Sequence, residues 1–432
     1  MPAALASGTR LPPDGAEFAA RMAPLGPFEP RPKLAVAVSG GADSLALALL
    51  AAAWAHARGG AVLGLIVDHG LRAAAARESA DAANYLETQG IPARILRLEH
   101  LAPGPGVAAR ARMARYAALA GACRDAGIVH LLLGHHAADQ AETVLLRALS
   151  ASGPAGLAGM AALSEAGGLR LLRPLLGLAP VRLRALLVSR GLGWAEDPSN
   201  ANPRATRARL RHLRADRAGD GSATLALCAA ARAAGAARAA AEAEIASLLA
   251  ARAEFRPEGF ALLDPAPLPP AALGALLRAI AGAAQMPARA GLAVLAAAPR
   301  PATLGGARLM PAGRLGPGML LVLREAARMA PPVPARPGAL WDGRFRLTCG
   351  ADPGSEPLAG AQLGALGAAA AGGLRGRSDL PAAVLETLPA LWRDGTLLAA
   401  PAVAYDPGGV AAGLRLLFAP RHPAAGAPFV AG

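Results

Sequence analysis

The amino-acid sequence predicts an α/β fold, a doubly wound parallel sheet followed by smaller α+β accessory domains. Three apolar runs, residues 34–38, 61–67 and 128–133, have the length of strands, and residues 93–98 can form another. Stretches with a helical spacing of apolar residues separate these runs. Unbroken apolar runs are typical of strands that are covered on both faces of a parallel sheet. The alternation of strands and helices therefore predicts a sheet whose ligands bind beyond the carboxyl ends of its strands.

The first predicted strand ends in a glycine-containing loop that leads directly into a helix. From Asp43 onward Leu and Ala recur at helical spacing, so the loop lies at a helix amino end, where free N–H groups and the helix dipole attract phosphate. The two glycines let the backbone approach an anion closely. The carboxylate of Asp43 can hold a magnesium ion that is bound to the phosphates. The predicted phosphate-binding residues are Ser39, Gly40, Gly41, Ala42, Asp43 and Ser44.

Two further predicted strands also end in polar motifs. An Asp-His pair follows residues 61–67, and a His-His pair follows residues 128–133 and opens a helix with acidic first turns. Because the carboxyl ends of parallel strands meet at one edge of a sheet, one crevice can collect these side chains. Histidine can donate or accept a proton there near neutral pH. The candidate residues are Asp68, His69, His135, His136, Asp139 and Glu142.

Arginine residues supply two candidate groups that bind anions. Arg112 and Arg115 lie on one face of a predicted helix, where two guanidinium groups can bind an anion. A turn-rich stretch at residues 198–203 leads into a basic run that fits a grip on nucleic-acid phosphates. A solvated basic helix face is the alternative interpretation of both groups. The basic run contains Arg204, Arg207, Arg209 and Arg211.

Charge and cysteine content narrow the functional class. The 432 residues include 44 Lys and Arg and 30 Asp and Glu, a formal net charge of +14, which favours polyanionic partners and nucleic acid first. The three cysteines are isolated, which excludes a disulfide framework and a paired metal site and fits a reducing cytoplasm. The apolar stretches are too short to predict a transmembrane helix, so we expect no membrane partner. The sequence does not determine the oligomeric state, and a homodimer is among the states that it allows.

The length of the chain predicts more than one domain. Four prolines within residues 331–338 predict a linker, and an Asp-Gly turn within residues 388–405 predicts a hairpin. We expect a loose amino-terminal extension over residues 1–30, a catalytic domain over 31–216, a helical and mixed accessory domain over 217–330, and an α+β accessory domain over 331–432.

Residues 39–44 resemble the pyrophosphate-binding loop (PP-loop, SGGxDS) of the ATP-pyrophosphatase superfamily. They do not match a Walker A loop, because the spacing GxxxxGK[ST] is missing and no Lys is available to clamp a γ-phosphate. The resemblance implies use of ATP with Mg²⁺, cleavage of ATP to AMP and pyrophosphate, and activation of an oxygen as an adenylate. It also implies that residues 39–44, Asp68 and His69 bind the nucleotide.

Further motifs resemble those of one family in this superfamily, the tRNA(Ile)-lysidine synthetases. The motifs are VDHGLR at residues 67–72, ARMARY at 111–116, GHHAADQAET at 134–143, SGPAGLAGM at 152–160, RPLLGL at 173–178 and WAEDPSNANPRATRARLR at 194–211. The resemblance implies that ATP activates the wobble cytidine in the CAU anticodon of tRNA(Ile). Free L-lysine then attacks to give lysidine, which changes codon reading from AUG to AUA. The implied catalytic residues are Asp43, Arg112, Arg115, His135, His136 and Asp139, and those that contact substrate are Glu142, Arg204, Arg207, Arg209 and Arg211.

Two positions depart from the family pattern. Ala138 stands where a second Asp is usual, which leaves Asp139 as the acid there, and Arg207-Ala208 stands where an Arg-Asn pair is usual. The alternatives are a tRNA thiolase of the same superfamily, a small-molecule amidating enzyme and a non-catalytic tRNA-binding protein. Thiolases that carry iron–sulfur clusters need clustered cysteines, which this sequence lacks. A binding protein would not need SGGADS, DHGLR and the His pair together.

Overall fold

The computed structural model describes residues 11–68, 70, 75–98, 106–166, 168–195, 209–210, 215–216, 218–349 and 358–432. The chain divides into two compact units, Met1–Ala240 with Phe429–Gly432 and Ala241–Pro428.

The first unit contains a six-stranded sheet in the order β3-β2-β1-β4-β6-β5. Strand β5 runs antiparallel to β6, and the other neighbouring strands pair in parallel. The strands are β1 (Lys33–Val38), β2 (Ala61–Asp68), β3 (Ala93–Arg97), β4 (His130–Leu133), β5 (Leu163–Ala166) and β6 (Leu169–Leu172). The helices are α1 (Gly15–Met22), α2 (Ala42–His56), α3 (Ala75–Thr88), α4 (Val107–Asp125), α5 (Ala137–Leu149), α6 (Pro154–Leu157), α7 (Pro180–Ser189) and α8 (Ser222–Arg252), the last of which contains the boundary between the units.

The predicted α/β fold is confirmed, because both faces of the parallel strands are covered by apolar side chains. Along β1, Leu34 and Val36 belong to one buried cluster and Ala35 belongs to the cluster on the opposite face. Along β4, Leu132 and Leu131 divide between the two clusters in the same way. This two-sided burial explains the unbroken apolar runs in the sequence. The strand order reverses between β1 and β4, where the fold opens a crevice.

The amino-terminal segment corrects a prediction, because residues 15–25 are packed and not loose. Phe18 and Met22 of α1 and Leu25 after it are buried in the same cluster as β1. Two guanidinium nitrogens of Arg182 donate to the two carboxylate oxygens of Glu17, over 2.9 and 2.6 Å. Apolar residues spaced four and three apart form a helical stripe, but the neighbouring Pro and Gly residues concealed this pattern.

The second unit is built from three antiparallel sheets and short helices. Their strand orders are β7-β8-β11-β10-β9, β12-β15-β16-β17 and β13-β14-β18. The strands are β7 (Ala253–Phe255), β8 (Ala261–Leu263), β9 (Ala302–Leu304), β10 (Ala307–Pro311), β11 (Leu320–Arg324), β12 (Val333–Pro334), β13 (Leu340–Trp341), β14 (Phe345–Cys349), β15 (Gln362–Ala365), β16 (Pro389–Arg393), β17 (Thr396–Ala399) and β18 (Leu414–Phe418). The helices are α9 (Pro270–Ala281), α10 (Arg289–Ala297), α11 (Gly367–Leu374) and α12 (Ala382–Leu385).

The proline-rich segment at residues 331–338 is not a free linker. Strand β12 within it pairs with β15, so Pro334 occupies the edge of a sheet, where a missing N–H donor is tolerated. The predicted hairpin is confirmed: β16 pairs with β17, and Asp394 and Gly395 both have the positive φ that this tight turn requires.

A buried ion cluster crosses the predicted boundary between residues 217–330 and 331–432. Asp342 accepts hydrogen bonds from Arg324 over 3.0 Å and from Arg344 over 2.8 Å. All three side chains are almost completely buried. The contacts therefore unite residues 241–428, whereas the sequence predicted two separate accessory domains here.

We expect Asp342→Asn to lower the free energy of unfolding by about 3 kcal/mol or more, because it leaves two buried guanidinium groups without their anion. Asn tolerates the positive φ of this position. Urea unfolding of the purified protein measures the change. The matched control is Asp264→Asn, which loosens a partly exposed pair with Arg252 and should cost less than about 1 kcal/mol. Equal losses in the two variants would contradict a structural role for the buried cluster.

Candidate functional site

The loop at residues 39–44 joins the carboxyl end of β1 to the first turn of α2. Gly40 has a φ of +81°, which a residue with a side chain rarely adopts. The Ser39 N–H donates to Ser44 Oγ over 3.1 Å, and Ser44 Oγ donates to the Gly41 carbonyl over 2.9 Å. The two serines thus fix the shape of the loop from inside. The N–H groups of Ala42 and its neighbours lie in the first helical turn, where they have no intrahelical acceptor.

The end of β2 contributes one described residue, Asp68. Its side chain is buried, and Oδ1 accepts the N–H of Gly70 over 2.9 Å, so the carboxylate stabilises the turn that follows the strand. His69 lies outside the described residues. The nucleotide-binding role of both residues stays a prediction.

Three ionisable side chains meet between the ends of β1 and β4. His136 Nε2 lies 3.4 Å from Asp43 Oδ2 and 3.6 Å from Asp139 Oδ2. The backbone N–H of His136 also donates to Asp139 Oδ2 over 3.2 Å, which ties the carboxylate to the start of α5. Sequence analysis named all three residues, and the fold brings them together at the switch point of the sheet.

Gly134 sets how closely these two strand ends approach each other. A Cβ atom at this position would lie 3.3 Å from the backbone N and Cα of Ser44. The contacted atoms belong to the first turn of α2, which cannot move without displacing the loop. Sequence analysis gave Gly134 no role of its own, although it stood in the motif before the His pair.

The free oxygen of Asp43 tests whether magnesium fits this site. Asp43 Oδ1 is buried, and no group in the described part of the chain forms a hydrogen bond with it. A buried carboxylate oxygen without a donor is costly. Mg²⁺ commonly binds one or two carboxylates together with substrate phosphates and water, and Asp43 fits that arrangement. Among the described residues, no three or more His, Cys, Asp or Glu side chains cluster as a self-sufficient metal site.

His135 is neutral near physiological pH. Burial, aided by the positive charges of Arg173 and Arg112, lowers the pKa of His135 from 6.5 to about 4, against the opposing effect of Asp139. A neutral imidazole can donate or accept one hydrogen bond, but a group that protonates only near pH 4 is a weak base at pH 7. Of the two candidate histidines, His136 is the one that lies beside Asp43, and a catalytic role for either stays a prediction.

The two arginines of α4 both lie near the ring of Tyr116. The guanidinium carbons of Arg112 and Arg115 lie 5.2 and 5.6 Å from the centre of the Tyr116 ring. Arg112 is exposed, and its positive charge helps to lower the pKa of His135. Arg115 is half-buried. The predicted pairing of these two residues on one ligand stays a prediction.

The predicted substrate contacts are described only in part. Glu142 is completely buried within α5, and Arg209 is exposed. Arg204, Arg207 and Arg211 lie outside the described residues. Their predicted contact with tRNA therefore stays a prediction.

Ala138 lies close to Gly219, and the glycine-rich motif at residues 152–160 is hydrogen-bonded to α5. A Cβ at Gly219 would lie 3.4 Å from that of Ala138. Gln140 holds both backbone groups of Met160, accepting its N–H over 2.8 Å and donating to its carbonyl over 3.1 Å. The motif thus packs against α5, the helix that carries Asp139 and Glu142.

A family model described as a PP-loop domain matches residues 16–215. That segment is a PP-loop domain. Its match begins within α1, in agreement with the packing of that helix against the sheet.

The chain is also similar to several tRNA(Ile)-lysidine synthases. It is 46% identical over 198 residues to the one from Bradyrhizobium sp. (strain BTAi1), covering 45% of this chain and 55% of that protein. It is 48% identical over 184 residues to the one from Hyphomonas neptunium, covering 41% and 49%. The chain spans about half the length of these relatives. The resemblance drawn from the sequence motifs is confirmed.

Among solved structures, the chain is similar to the U34-tRNA thiolase NcsA from Methanococcus maripaludis with its [4Fe-4S] cluster. The sequences are 16% identical, the TM-score is 0.40, and the match covers 49% of this chain and 75% of that chain.

We expect Gly134→Ala to weaken ATP binding about tenfold with little loss of stability, because its methyl group pushes the first turn of α2 and the loop out of place. Isothermal titration with ATP measures the affinity. Gly153→Ala is the matched control, since a Cβ there meets nothing within 4 Å and φ is already negative. Unchanged ATP affinity in Gly134→Ala would show that this close approach does not position the loop.

The neutral state of His135 predicts a specific pH dependence of stability. The unfolded chain binds a proton at this residue below its usual pKa of 6.5, whereas the folded protein does so only near pH 4. The stability that neutral His135 provides is therefore complete above pH 6.5 and is lost as the pH falls towards 4. One pKa unit equals about 1.4 kcal/mol, so the loss is on the order of 3 kcal/mol. In urea unfolding between pH 4 and 8, the free energy of unfolding should depend less steeply on pH in His135→Gln than in the wild type. Parallel pH profiles of the two proteins would contradict the neutral state of His135.

Proposed function

We propose that the protein is an ATP-dependent ligase that joins lysine to the wobble cytidine in the CAU anticodon of tRNA(Ile), acting in the cytoplasm. The observation that carries the proposal is the meeting of Asp43, His136 and Asp139 beside the PP-loop at the β1–β4 switch point. The similarity to proteins named tRNA(Ile)-lysidine synthase, 46% identity over 198 residues and 48% over 184, supports the same conclusion.

The first step of the proposed reaction needs an environment that binds polyphosphate. The first-turn N–H groups of α2 and the dipole of that helix attract the phosphates of ATP. Asp43 would hold Mg²⁺, which neutralises phosphate charge as pyrophosphate departs. Arg112, whose charge acts on His135, would stabilise the same developing charge. The product of this step is a cytidine whose carbonyl oxygen is bonded to AMP.

The second step needs a neutral lysine amine. An ammonium group must be bound and must lose a proton before it attacks, and carboxylates suit both tasks. Asp139 is fixed at the start of α5 by the N–H of His136, and Glu142 lies one turn further along the helix. His136, beside Asp43 and Asp139, can accept the proton. The amine displaces AMP, and the new carbon–nitrogen bond gives lysidine.

The cysteines disfavour the thiolase alternative. Sulfur transfer needs a reactive thiolate, but burial raises the pKa of Cys123 to about 11. Cys228 is buried too, and its thiol donates to the Ala137 carbonyl over 3.3 Å. Both behave as small apolar residues of the core.

Pyrophosphate release tests the proposal directly. We expect release from ATP only when tRNA(Ile) with a CAU anticodon is present, with full turnover needing lysine as well. Asp43→Asn should lower the rate by orders of magnitude without unfolding the protein, because the side chain keeps its volume and loses its charge. Pyrophosphate release that needs a sulfur donor would overturn the proposal in favour of a thiolase. If no tRNA led to pyrophosphate release, a binding protein would be favoured instead.

One structural observation concerns helices that could span a membrane. Within the residues that the structure describes, no helix has the length and apolar content needed to cross a membrane.

A further inference from the structure

Arg173 lies at the carboxyl edge of the parallel sheet, next to the site described above. It directly follows β6, which pairs in parallel with β4 so that Leu172 lies opposite Leu132. Arg173 is therefore level with Leu133, two residues before His135. The carboxyl ends of β1, β4 and β6 thus contribute to one edge.

The guanidinium of Arg173 is largely enclosed, yet its partners are neutral. Nη1 donates to the Ala161 carbonyl over 2.9 Å and to Ser164 Oγ over 3.1 Å. Nε is buried without a hydrogen-bond partner among the described residues, and the acceptors of Nη1 are both uncharged. Burial lowers its pKa, and the nearby charge of Arg112 lowers it further. A buried cation without an anion is costly.

Some buried or half-buried arginines of this chain have a carboxylate partner, whereas Arg147 and Arg170, like Arg173, donate to neutral groups. Arg182 forms a two-pronged pair with the carboxylate of Glu17, and Arg324 and Arg344 share Asp342. Arg173 is not needed to neutralise any acid among the described residues. Its charge is therefore available for a ligand.

The groups around Arg173 can all donate to an oxyanion. Arg112, Tyr116 and His135 are its electrostatic neighbours. His135 Nδ1 is also buried and has no hydrogen-bond partner in the described part of the chain. Two guanidinium groups, a hydroxyl and a neutral imidazole form a donor set suited to phosphate oxygens.

We propose that Arg173 is a phosphate-binding residue of this site, which receives an oxyanion of the bound nucleotide on the β4–β6 side of the crevice. This inference rests on the proposed use of ATP. The burial of the side chain favours the nucleotide over the tRNA backbone as the source of the phosphate, because an RNA strand is too bulky to reach an enclosed guanidinium. Charge-assisted hydrogen bonds from Arg173 would hold the pyrophosphate group until it departs.

Inorganic pyrophosphate with Mg²⁺ is the probe, used with the full chain and without tRNA or lysine. Arg173→Gln should weaken pyrophosphate binding about tenfold to a hundredfold, the usual loss for a hydrogen bond to a charged group. Arg173→Lys, which keeps the charge but not the planar fork, should recover part of the affinity. Without ligand, the melting temperature of both Arg173 variants should fall by less than that of the control variant Arg170→Gln. The loss of two hydrogen bonds to neutral acceptors is offset because an uncompensated charge is removed or moved to a more flexible chain.

The matched control is Arg170→Gln on the same strand. Arg170 donates to the carbonyls of Leu25, Gly26 and Pro27, so its loss should lower the melting temperature while pyrophosphate affinity is kept. Wild-type affinity in Arg173→Gln, or a fall in its melting temperature like that of Arg170→Gln, would overturn the inference and leave the proposed function standing. A wild-type protein that binds neither pyrophosphate nor ATP would overturn both. If instead Arg173→Gln weakened binding of a CAU anticodon stem-loop alone, the phosphate would belong to RNA and the inference would be wrong.

Discussion

The parallel pairing of β1 with β4 is the constraint on which the site depends. This pairing places Ala37 opposite Leu133, so the PP-loop and the His pair leave the sheet at the same level. Neither motif could reach the other if the pairing slipped by two residues, a shift of almost 7 Å along the strand. Gly134 then permits backbone contact between the two strand ends. The contact of His136 with Asp43 follows from these two features.

Some polar groups of the site have hydrogen-bond partners within the protein, and a few buried ones do not. The serines of the loop satisfy each other, and Asp139 is tied to the start of α5. By contrast, Asp43 Oδ1, His135 Nδ1 and Arg173 Nε are buried without hydrogen-bond partners among the described residues. Asp43 Oδ1 is an acceptor suited to a cation, and Arg173 Nε is a donor suited to an anion. A magnesium-bound polyphosphate carries both charges, which is why we interpret the crevice as a site for ATP.

Much of the fold and part of the site could be predicted from sequence, because both rest on local patterns. Unbroken apolar runs and the glycines after β1 predicted the sheet and its loop, and the Asp394-Gly395 turn predicted the hairpin. Contacts between residues that are distant in the sequence could not be predicted. The stripe through Phe18 and Met22 lay among Pro and Gly residues, and the edge pairing of β12 depends on β15, some thirty residues later. Arg173 stood in the motif RPLLGL without a role of its own, since only the fold shows that its hydrogen-bond acceptors are neutral.

The most direct test of this account is mass spectrometry of nucleosides from tRNA(Ile) with a CAU anticodon, after incubation with the protein, ATP and lysine. The account predicts a cytidine that has gained one lysine with loss of water, and no such product from methionine tRNA or without ATP. Unmodified cytidine in the presence of all three components, or a nucleoside that has gained sulfur, would contradict it.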